Sequence, residues 1–520
     1  MIKRLLFFDK MDASVRWDFY SYFFLFAILL CQVSNWPASP LFMDCYYHLC
    51  VVRGFHDAGG WVGEAFWEYA PFGRPHLYPP LFHLIELFLY NCGVGLITIA
   101  RFFDFIIYPF FLSTVWFAAR TLDSRRLAFF SLFLLCSSFS LFVSVTSNVP
   151  FVLAFSFGLL SFLCLRGLKI VSAILLLTFC FYTHSFMPWL FIFAFFLYAF
   201  FERKQAKTTF FVCLSAVIFA TPFLWHELRY LDFIHRVRAM EFYYAELNPV
   251  LYLLSLAGII FCLRRKQRSL YFFVILIMAM AVLLFTHRDR FFSGIGLAPI
   301  FVLAAYSVDV FWLYLKGRKP KIWRIIFLTV FCFLLYGITP IISLSPLEER
   351  PVLKIDSSFL DRWGISDVSS VKAETIYYSK FIDELACLIK SSSSAEDIFF
   401  FNYSYGGGML SALSHRATST SMLAEVGPFC KFNPIVYARF VFLFKDPQDI
   451  YYRFLPALIN RYALSRVFET DVACLYVHEC SAKRKVIPAV IPKNVCFLLL
   501  FLVCIIILVD TSTVLEKRRL

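Results

Sequence analysis

The chain has 520 residues, 60% of them hydrophobic and 67 of them Phe, with a mean hydropathy of +0.73. Soluble domains are about 45–50% apolar, so this composition excludes an ordinary soluble protein and points to one that spans a membrane. The net charge of +14 sits in short basic loops between apolar runs, where orientation in a bilayer accounts for it. No nucleic-acid-binding motif occurs, so nucleic acid is not an expected partner.

Apolar runs of about 20 residues, each long enough to cross a bilayer as a helix, begin near Phe19, Ile99, Leu127, Pro150, Ile170, Met187, Thr209, Pro249, Leu270, Phe291, Ile325 and Asn494. They predict about twelve transmembrane helices. The first run lacks a small-residue cleavage site and is read as a retained helix rather than a signal peptide. One further run, 79–96, is assigned by charge. If it does not cross, the basic loops at Arg120/Arg125/Arg126, Arg166/Lys169, Arg203/Lys204/Lys207, Arg264–Arg268 and Lys316–Lys321 share a side with Lys3, Arg4 and the Lys517–Arg519 tail. That obeys the positive-inside rule, so 79–96 is predicted to be a re-entrant helix that screens His83 and Glu86 from lipid. Both termini are then cytoplasmic.

The same parity puts the 37–78 loop, a turn at 144–148, His184, the 226–247 loop and the turn His287-Arg288-Asp289-Arg290 at the outer face. It also makes the polar region 346–490 an external domain, lying between a multi-span domain, 1–345, and a final helix with a basic tail, 491–520. Within it, Asp397–Tyr403 and Asp471–His478 read as strands by their β-branched and aromatic content. Helical patterns lie around 376–390 and 447–461, and Gly406–Gly408 reads as a tight strand-to-helix turn. Most of the 16 Cys fall in apolar runs as small hydrophobes. Cys45, Cys50, Cys387, Cys430, Cys474 and Cys480 fall in external segments, where disulfides form, and nothing in the sequence pairs them.

Chemistry-bearing residues gather at that outer face. A helix starting at Asp44 puts Tyr47 and His48 on the same face. Asp44 then reads either as an N-cap or, beside an imidazole, as a general base or the ligand of a divalent cation. The forked guanidinium groups of Arg288 and Arg290 suit phosphate oxygens, against ordinary snorkelling at a helix end. His184 reads as an interfacial residue or a member of the site. The charged 226–247 loop reads as a flap over a cleft or a helix on the bilayer surface, with Glu241 its acid of interest.

The sequence D-C-Y-Y-H at 44–48, followed by P-F-G-R-P-H-L-Y-P-P-L-F at 71–82, resembles the first external loop of the GT-C glycosyltransferase superfamily. The likeness is greatest to the catalytic subunits of archaeal and bacterial oligosaccharyltransferases. It implies a polytopic α-helical, GT-C-like membrane protein that carries a mixed α/β external domain before its last helix. It also implies transfer of a sugar or glycan from a polyprenyl-phosphate or pyrophosphate donor to a protein, lipid or glycan acceptor. Carried over, Asp44 is the catalytic carboxylate and the ligand of a divalent cation, Mg or Mn, with His48 beside it. Arg74, Tyr78, His184, Glu241, Arg288 and Arg290 are the substrate-side residues, the two arginines holding the donor phosphate. Two departures stand out. The next external segment reads SVTSNVP, with Asn148 where the family has an acid. The nearest counterpart of the family's WWDYG motif is Phe400-Phe401-Asn402-Tyr403-Ser404-Tyr405-Gly406, followed by His415-Arg416-Ala417-Thr418. These departures favour a second reading, a non-catalytic scaffold or lipid-binding relative. A transporter fits less well, because its polar sites lie at mid-membrane, where Asp104 is the main acid.

Overall fold

Among the described residues the apolar runs are mostly helical, since a helix satisfies its own backbone groups within lipid; the run from Ile325 is helical to Cys332, and Thr339–Leu344, expected to belong to that span, is a strand. The computed structural model describes residues 13–34, 44–147, 149–234, 243–246, 248–286, 288–292, 294–318, 320–332, 339–344, 352–356, 382–402, 404–422, 426–447, 449–479 and 482–517. The helices of the bundle are Ala13–Ser34, Leu96–Leu122, Arg125–Leu135, Phe139–Ser147, Val149–Arg166, Ile170–Thr183, Met187–Phe201, Ala206–Arg229, Pro249–Arg264, Tyr271–Met280, Leu297–Arg318, Lys321–Cys332 and Lys493–Lys517. Among the described residues, six helices are long and apolar enough to cross a membrane. A seventh is added if Arg125–Leu135 and Ser140–Thr146, bent by 90°, form one span. Others are shorter than the spans of about 20 residues expected, about twelve in all: Ile170–Thr183 has 14 residues, about 21 Å of helix against a hydrocarbon core of about 30 Å.

Local chemistry sets the helix ends. Ser124 accepts from the Leu127 amide at 3.1 Å and Asn248 from the Val250 amide at 3.0 Å, each satisfying an otherwise orphaned donor of a first helical turn. The turn expected at 144–148 is instead helical through Ser147, because Ser138 caps that helix by accepting from the Leu141 amide at 3.1 Å. The span expected from Phe291 is also interrupted: Arg288–Phe292 is a short helix of its own, and the long helix starts at Leu297. At that break a Cβ on Gly294 would stand 2.8 Å from the Arg290 carbonyl and 2.9 Å from Ser144 Oγ. Two ion pairs join helices inside the bundle. Asp18 accepts from Arg120 Nε and Nη2, each at 2.9 Å, and Arg126 pairs with Asp309.

The segment 79–96 contains an eleven-residue helix, Leu81–Asn91, about 16 Å long and so well short of a crossing. It buries His83 and Glu86. The chain then turns at Gly93, whose φ of 89° lies in the left-handed region open to glycine.

The polar region folds around a five-stranded sheet in the order Ser465–Glu469, Ala473–Val477, Phe440–Phe444, Ile398–Phe401, Ala417–Thr418. Two of its strands lie where the sequence puts them. The central strand, FVFLF, is buried along its whole length and lacks the alternation that marks a half-buried strand. The glycine run does not form a turn. It lies inside the helix Ser404–Ser414, and a Cβ on Gly407 would fall 2.1 Å from the Phe401 ring, so glycine is what lets that ring seat against the helix. Cys45, Cys50, Cys387, Cys430 and Cys474 are all free thiols; Cys480 lies outside the described residues. Of the 226–247 segment, 226–229 end the Ala206–Arg229 helix, and Tyr243–Glu246 is a strand paired with Thr339–Leu344. Glu241 lies outside the described residues.

The loop after the first span is built into the α/β domain. Helix Asp44–Ala58 shares one apolar core with the sheet, in which Leu49, Val52, Phe55 and Trp67 pack with Ile382, Phe399, Met409 and Phe442. Gly60–Trp61 pairs with Ile491–Pro492, just ahead of the last helix. The chain at 67–70 continues the sheet edge: the Thr418 amide donates to the Trp67 carbonyl at 2.9 Å, and the Ala70 amide to the Thr418 carbonyl at 2.9 Å. Between these links sits an ion pair with no exposure at all, Arg74 Nη2 to Glu68 Oε1 at 2.7 Å. The second carboxylate oxygen of Glu68 accepts from the Met422 amide at 2.8 Å, and Arg74 also donates to the Pro75 carbonyl and to the Tyr47 hydroxyl. Burial works against the Arg74 charge, but Glu68 and Tyr47 outweigh it and raise the pKa of the guanidinium. Removing one partner strands the other charge in the core, at a cost of about 3–5 kcal/mol. Glu68→Ala is therefore expected to lower the unfolding free energy by about that much, read as a clear drop in melting temperature of the detergent-solubilised protein. An unchanged melting temperature would contradict this role.

Candidate functional site

Asp44 is the first residue of its helix; its side chain lies outside those described. One turn on, Tyr47 and His48 are both 6% exposed. His48 Nδ1 stands 2.9 Å from His83 Nε2 of the Leu81–Asn91 helix. The His48 ring meets Tyr78 and Phe82 edge-on, each at 5.2 Å between centroids, and Tyr47 stands 6.0 Å from Tyr78. The structure thus brings together three of the predicted residues: Tyr78 and His48 by ring packing, and Arg74 through the Tyr47 hydroxyl. Arg74 is wholly buried and committed to Glu68, Tyr47 and Pro75, so its contacts hold the loop together. Burial keeps the imidazoles uncharged: the pKa of His48 is pushed down to about 3, and that of His76 falls well below the usual histidine value through burial and the nearby Arg74 charge. Behind this layer the Cys45 thiol donates to Asp104 at 3.2 Å.

A second group surrounds Phe151 at the start of helix Val149–Arg166. The Arg290 guanidinium lies 5.3 Å from the Phe151 ring centroid and the His184 ring 5.0 Å from it. His184 Nδ1 accepts from the Phe186 and Met187 amides at 3.1 and 3.3 Å. It therefore caps the Met187–Phe201 helix, and its Nε2 carries the proton. Next to it Ser185 donates to Glu227, an acid at the end of a span helix. Strand Tyr243–Glu246 runs beside both Phe139–Ser147 and Arg288–Phe292. Glu241, Asn148 and the Arg288 side chain lie outside the described residues. The Leu81–Asn91 helix packs against both the Asp44 helix and Ile170–Thr183, and so joins the two groups.

Sequence reasoning missed Glu68, His76 and Glu227 as members of this layer. Only the closeness of His76 to Arg74 in G-R-P-H-L-Y-P-P hints at one of them; Glu68 has no motif, and Glu227 reads as one charge among many. Among the described residues, no group of three or more His, Cys, Asp or Glu side chains is placed to hold a metal ion.

The buried neutral histidines make stability depend on pH. Below about pH 6.5 the unfolded chain takes up protons that the folded chain refuses until about pH 3, so stability is lost as pH falls through that window. The melting temperature is expected to drop between pH 7 and 4.5, and to drop less steeply in His48→Asn. Equal slopes in the two proteins would show that His48 is not held neutral.

No protein-family model and no curated protein matches the chain. Solved structures do. The archaeal oligosaccharyltransferase AglB from Archaeoglobus fulgidus, in complex with an inhibitory peptide and a dolichol-phosphate, is similar over 89% of this chain and 75% of its own, with a TM-score of 0.56 and 12% identity. A structure of the Archaeoglobus fulgidus oligosaccharyltransferase with Zn and sulfate matches over 88% and 73%, with a TM-score of 0.53 and 13% identity. One tethered to an acceptor peptide containing the NVT sequon matches over 84% and 70%, with a TM-score of 0.52 and 12% identity. The likeness takes in most of both chains, and the chain therefore has the GT-C fold, in the form found in oligosaccharyltransferases.

Proposed function

We propose that this chain is a membrane glycosyltransferase that moves a sugar or glycan from a polyprenyl-phosphate or pyrophosphate donor to an acceptor at the outer face of the membrane. The observation that carries this reading is the fold likeness over 89% of the chain to an oligosaccharyltransferase that holds dolichol-phosphate. Two features of the chain itself support it. Asp44 opens a helix held by buried contacts on every side, which suits a carboxylate that must sit in a fixed place. Arg290 lies over the Phe151 ring, which His184 also meets, near a break between helices, where a fork of N–H donors suits a phosphate oxygen.

In the reaction the acceptor attacks the anomeric carbon, and the bond from that carbon to the phosphate oxygen breaks. Asp44 takes the acceptor's proton as general base. The polyprenyl phosphate or pyrophosphate leaves with its negative charge, and Arg290 stabilises that charge. His48, uncharged and beside His83 one turn after Asp44, does not compete for the proton.

The acceptor is not assigned to a peptide sequon. In the segment where the family has its WWDYG motif, the Asn402 amide donates to the Phe444 carbonyl at 3.1 Å and to Asp449 at 2.8 Å, and accepts from the Phe444 amide at 2.8 Å. Asn402 is thus used to fix the sheet edge.

Transfer of radiolabelled sugar from polyprenyl-linked donors in membranes tests the proposal. Asp44→Asn is expected to reduce the rate by about 10²-fold or more at matched expression. Arg290→Met is expected to raise the KM for donor about tenfold or more, the equivalent of one charge-assisted hydrogen bond. Equal rates in wild type and Asp44→Asn would remove Asp44 from the mechanism. No transfer from any donor by the wild type would favour a non-catalytic lipid-binding relative.

A further inference from the structure

The helix Ala206–Arg229 turns one face to the bundle. Thr209, Val212, Cys213, Ala216, Ala220 and Phe223 are buried along it, while Leu214, Ile218, Trp225 and Leu228 are exposed. Steps of three and four residues continue the buried row to Glu227, which is half-buried where the helix ends. A carboxylate on that face of a span is costly unless it is paired or put to use. Asp18 and Asp309 are each paired with an arginine. Glu227 differs: among the described residues its one hydrogen-bond partner is the Ser185 hydroxyl, which donates to Oε1. Most of the acceptor capacity of an ionised carboxylate is then left over.

Its position narrows what that capacity serves. His226, the residue before it, donates from Nε2 to the His76 carbonyl at 3.0 Å, and its ring lies 6.1 Å from that of Trp61. A Cβ on Gly63 would stand 2.9 Å from the His226 ring, so glycine there lets the loop close on the helix end. That side leads through His76 and His83 to His48 and the Asp44 helix. Glu227 reaches the other side: Ser185 follows His184, whose ring meets the same Phe151 ring that Arg290 covers. Two consecutive residues at one helix end thus touch the group around Asp44 and the group around Arg290, with the carboxylate at the junction. In the reaction proposed above, the transferred sugar is the part of the substrate that spans from the base to the leaving phosphate. A carboxylate repels the phosphate, whereas its two oxygens suit the paired hydroxyl donors of a sugar ring.

We propose that Glu227 is a sugar-binding residue, its carboxylate accepting hydrogen bonds from neighbouring hydroxyl groups of a hexose carried by the lipid-linked donor. This rests on the reading of the chain as a transferase with such a donor, and adds the residue that selects the sugar. Ser185 holds one carboxylate oxygen in place, so the side chain is preset for its ligand. A site that accepts from a hydroxyl discriminates against donors that cannot present one, because its acceptor is then left unpaired.

Equilibrium binding to the full-length protein in detergent tests this, with tritiated polyprenyl phosphate either bare or carrying mannose, glucose or galactose. Wild type is expected to bind one of the sugar-bearing lipids about tenfold or more tightly than the bare lipid. Glu227→Gln keeps the size of the side chain and an oxygen for Ser185, and is expected to lose that preference while binding the bare lipid as wild type does. Glu227→Asp, which keeps the charge, is expected to retain part of it. Arg290→Met is expected to weaken bare and sugar-bearing lipid alike. An undiminished preference in Glu227→Gln would overturn the proposal. Equal weakening of bare and sugar-bearing lipid in that variant would overturn it too, making Glu227 a structural residue. So would a wild type that binds the bare lipid and shows no preference among the four. A wild type that binds none of the four would overturn the lipid-linked donor itself, and this inference with it.

Discussion

The buried pair Glu68–Arg74 is the contact on which the union of the 44–80 segment and the α/β domain depends. Its two charges, 2.7 Å apart and wholly out of water, are stable together and costly apart. Each reaches a different part of the structure. Glu68 accepts from the amide of Met422 in the α/β domain, and Arg74 donates to Tyr47 on the Asp44 helix. One ion pair therefore ties the loop, the helix and the domain into a single unit, and the strand pairing at 67–70 with 418–420 follows the same seam. Long loops are ordinarily mobile; this one is a core element.

That rigidity bears on function. A carboxylate acting as base has to stand within hydrogen-bonding reach of its substrate, and the helix that Asp44 opens cannot shift without breaking the apolar core and the buried pair. The neutral imidazoles of His48 and His83, in contact at 2.9 Å, fill the space between this helix and the short Leu81–Asn91 helix with polar groups that add no charge beside the base. The same short helix packs on Ile170–Thr183, which ends at His184, and so links the base to the Phe151–Arg290 group where a donor phosphate is proposed to lie. On the proposed function, this layout separates the two tasks of a transferase: activating the acceptor on one element and holding the leaving group on another.

Much of this was legible in the sequence. The helices, the start of a helix at Asp44 and the strands at 398–401 and 473–477 follow from length, hydropathy and β-branched content. The D-C-Y-Y-H and G-R-P-H-L-Y-P-P strings carry the resemblance that the fold supports. What stayed hidden was set by packing. The strand Phe440–Phe444 is central and uniformly apolar, so it lacks a period to read. The Gly406–Gly408 run suggests a turn, yet Gly407 sits within a helix because the Phe401 ring needs its space. Arg74, in a motif that suggests substrate, is fixed by Glu68, an acid with no motif at all. The stretch from His287 to Arg290 reads as a single turn, but Arg288–Phe292 is a short helix of its own and the long helix starts only at Leu297.

The central claim is that the 44–80 segment and the α/β domain form one cooperative unit through Glu68 and Arg74. Hydrogen–deuterium exchange on the full-length protein, comparing wild type with Glu68→Ala under native conditions, tests it most directly. The account predicts that peptides from 44–80 and from 417–422 lose protection together, while the Leu297–Arg318 helix in the bundle keeps its own. Loss of protection confined to the loop, with the 417–422 edge unchanged, would contradict it.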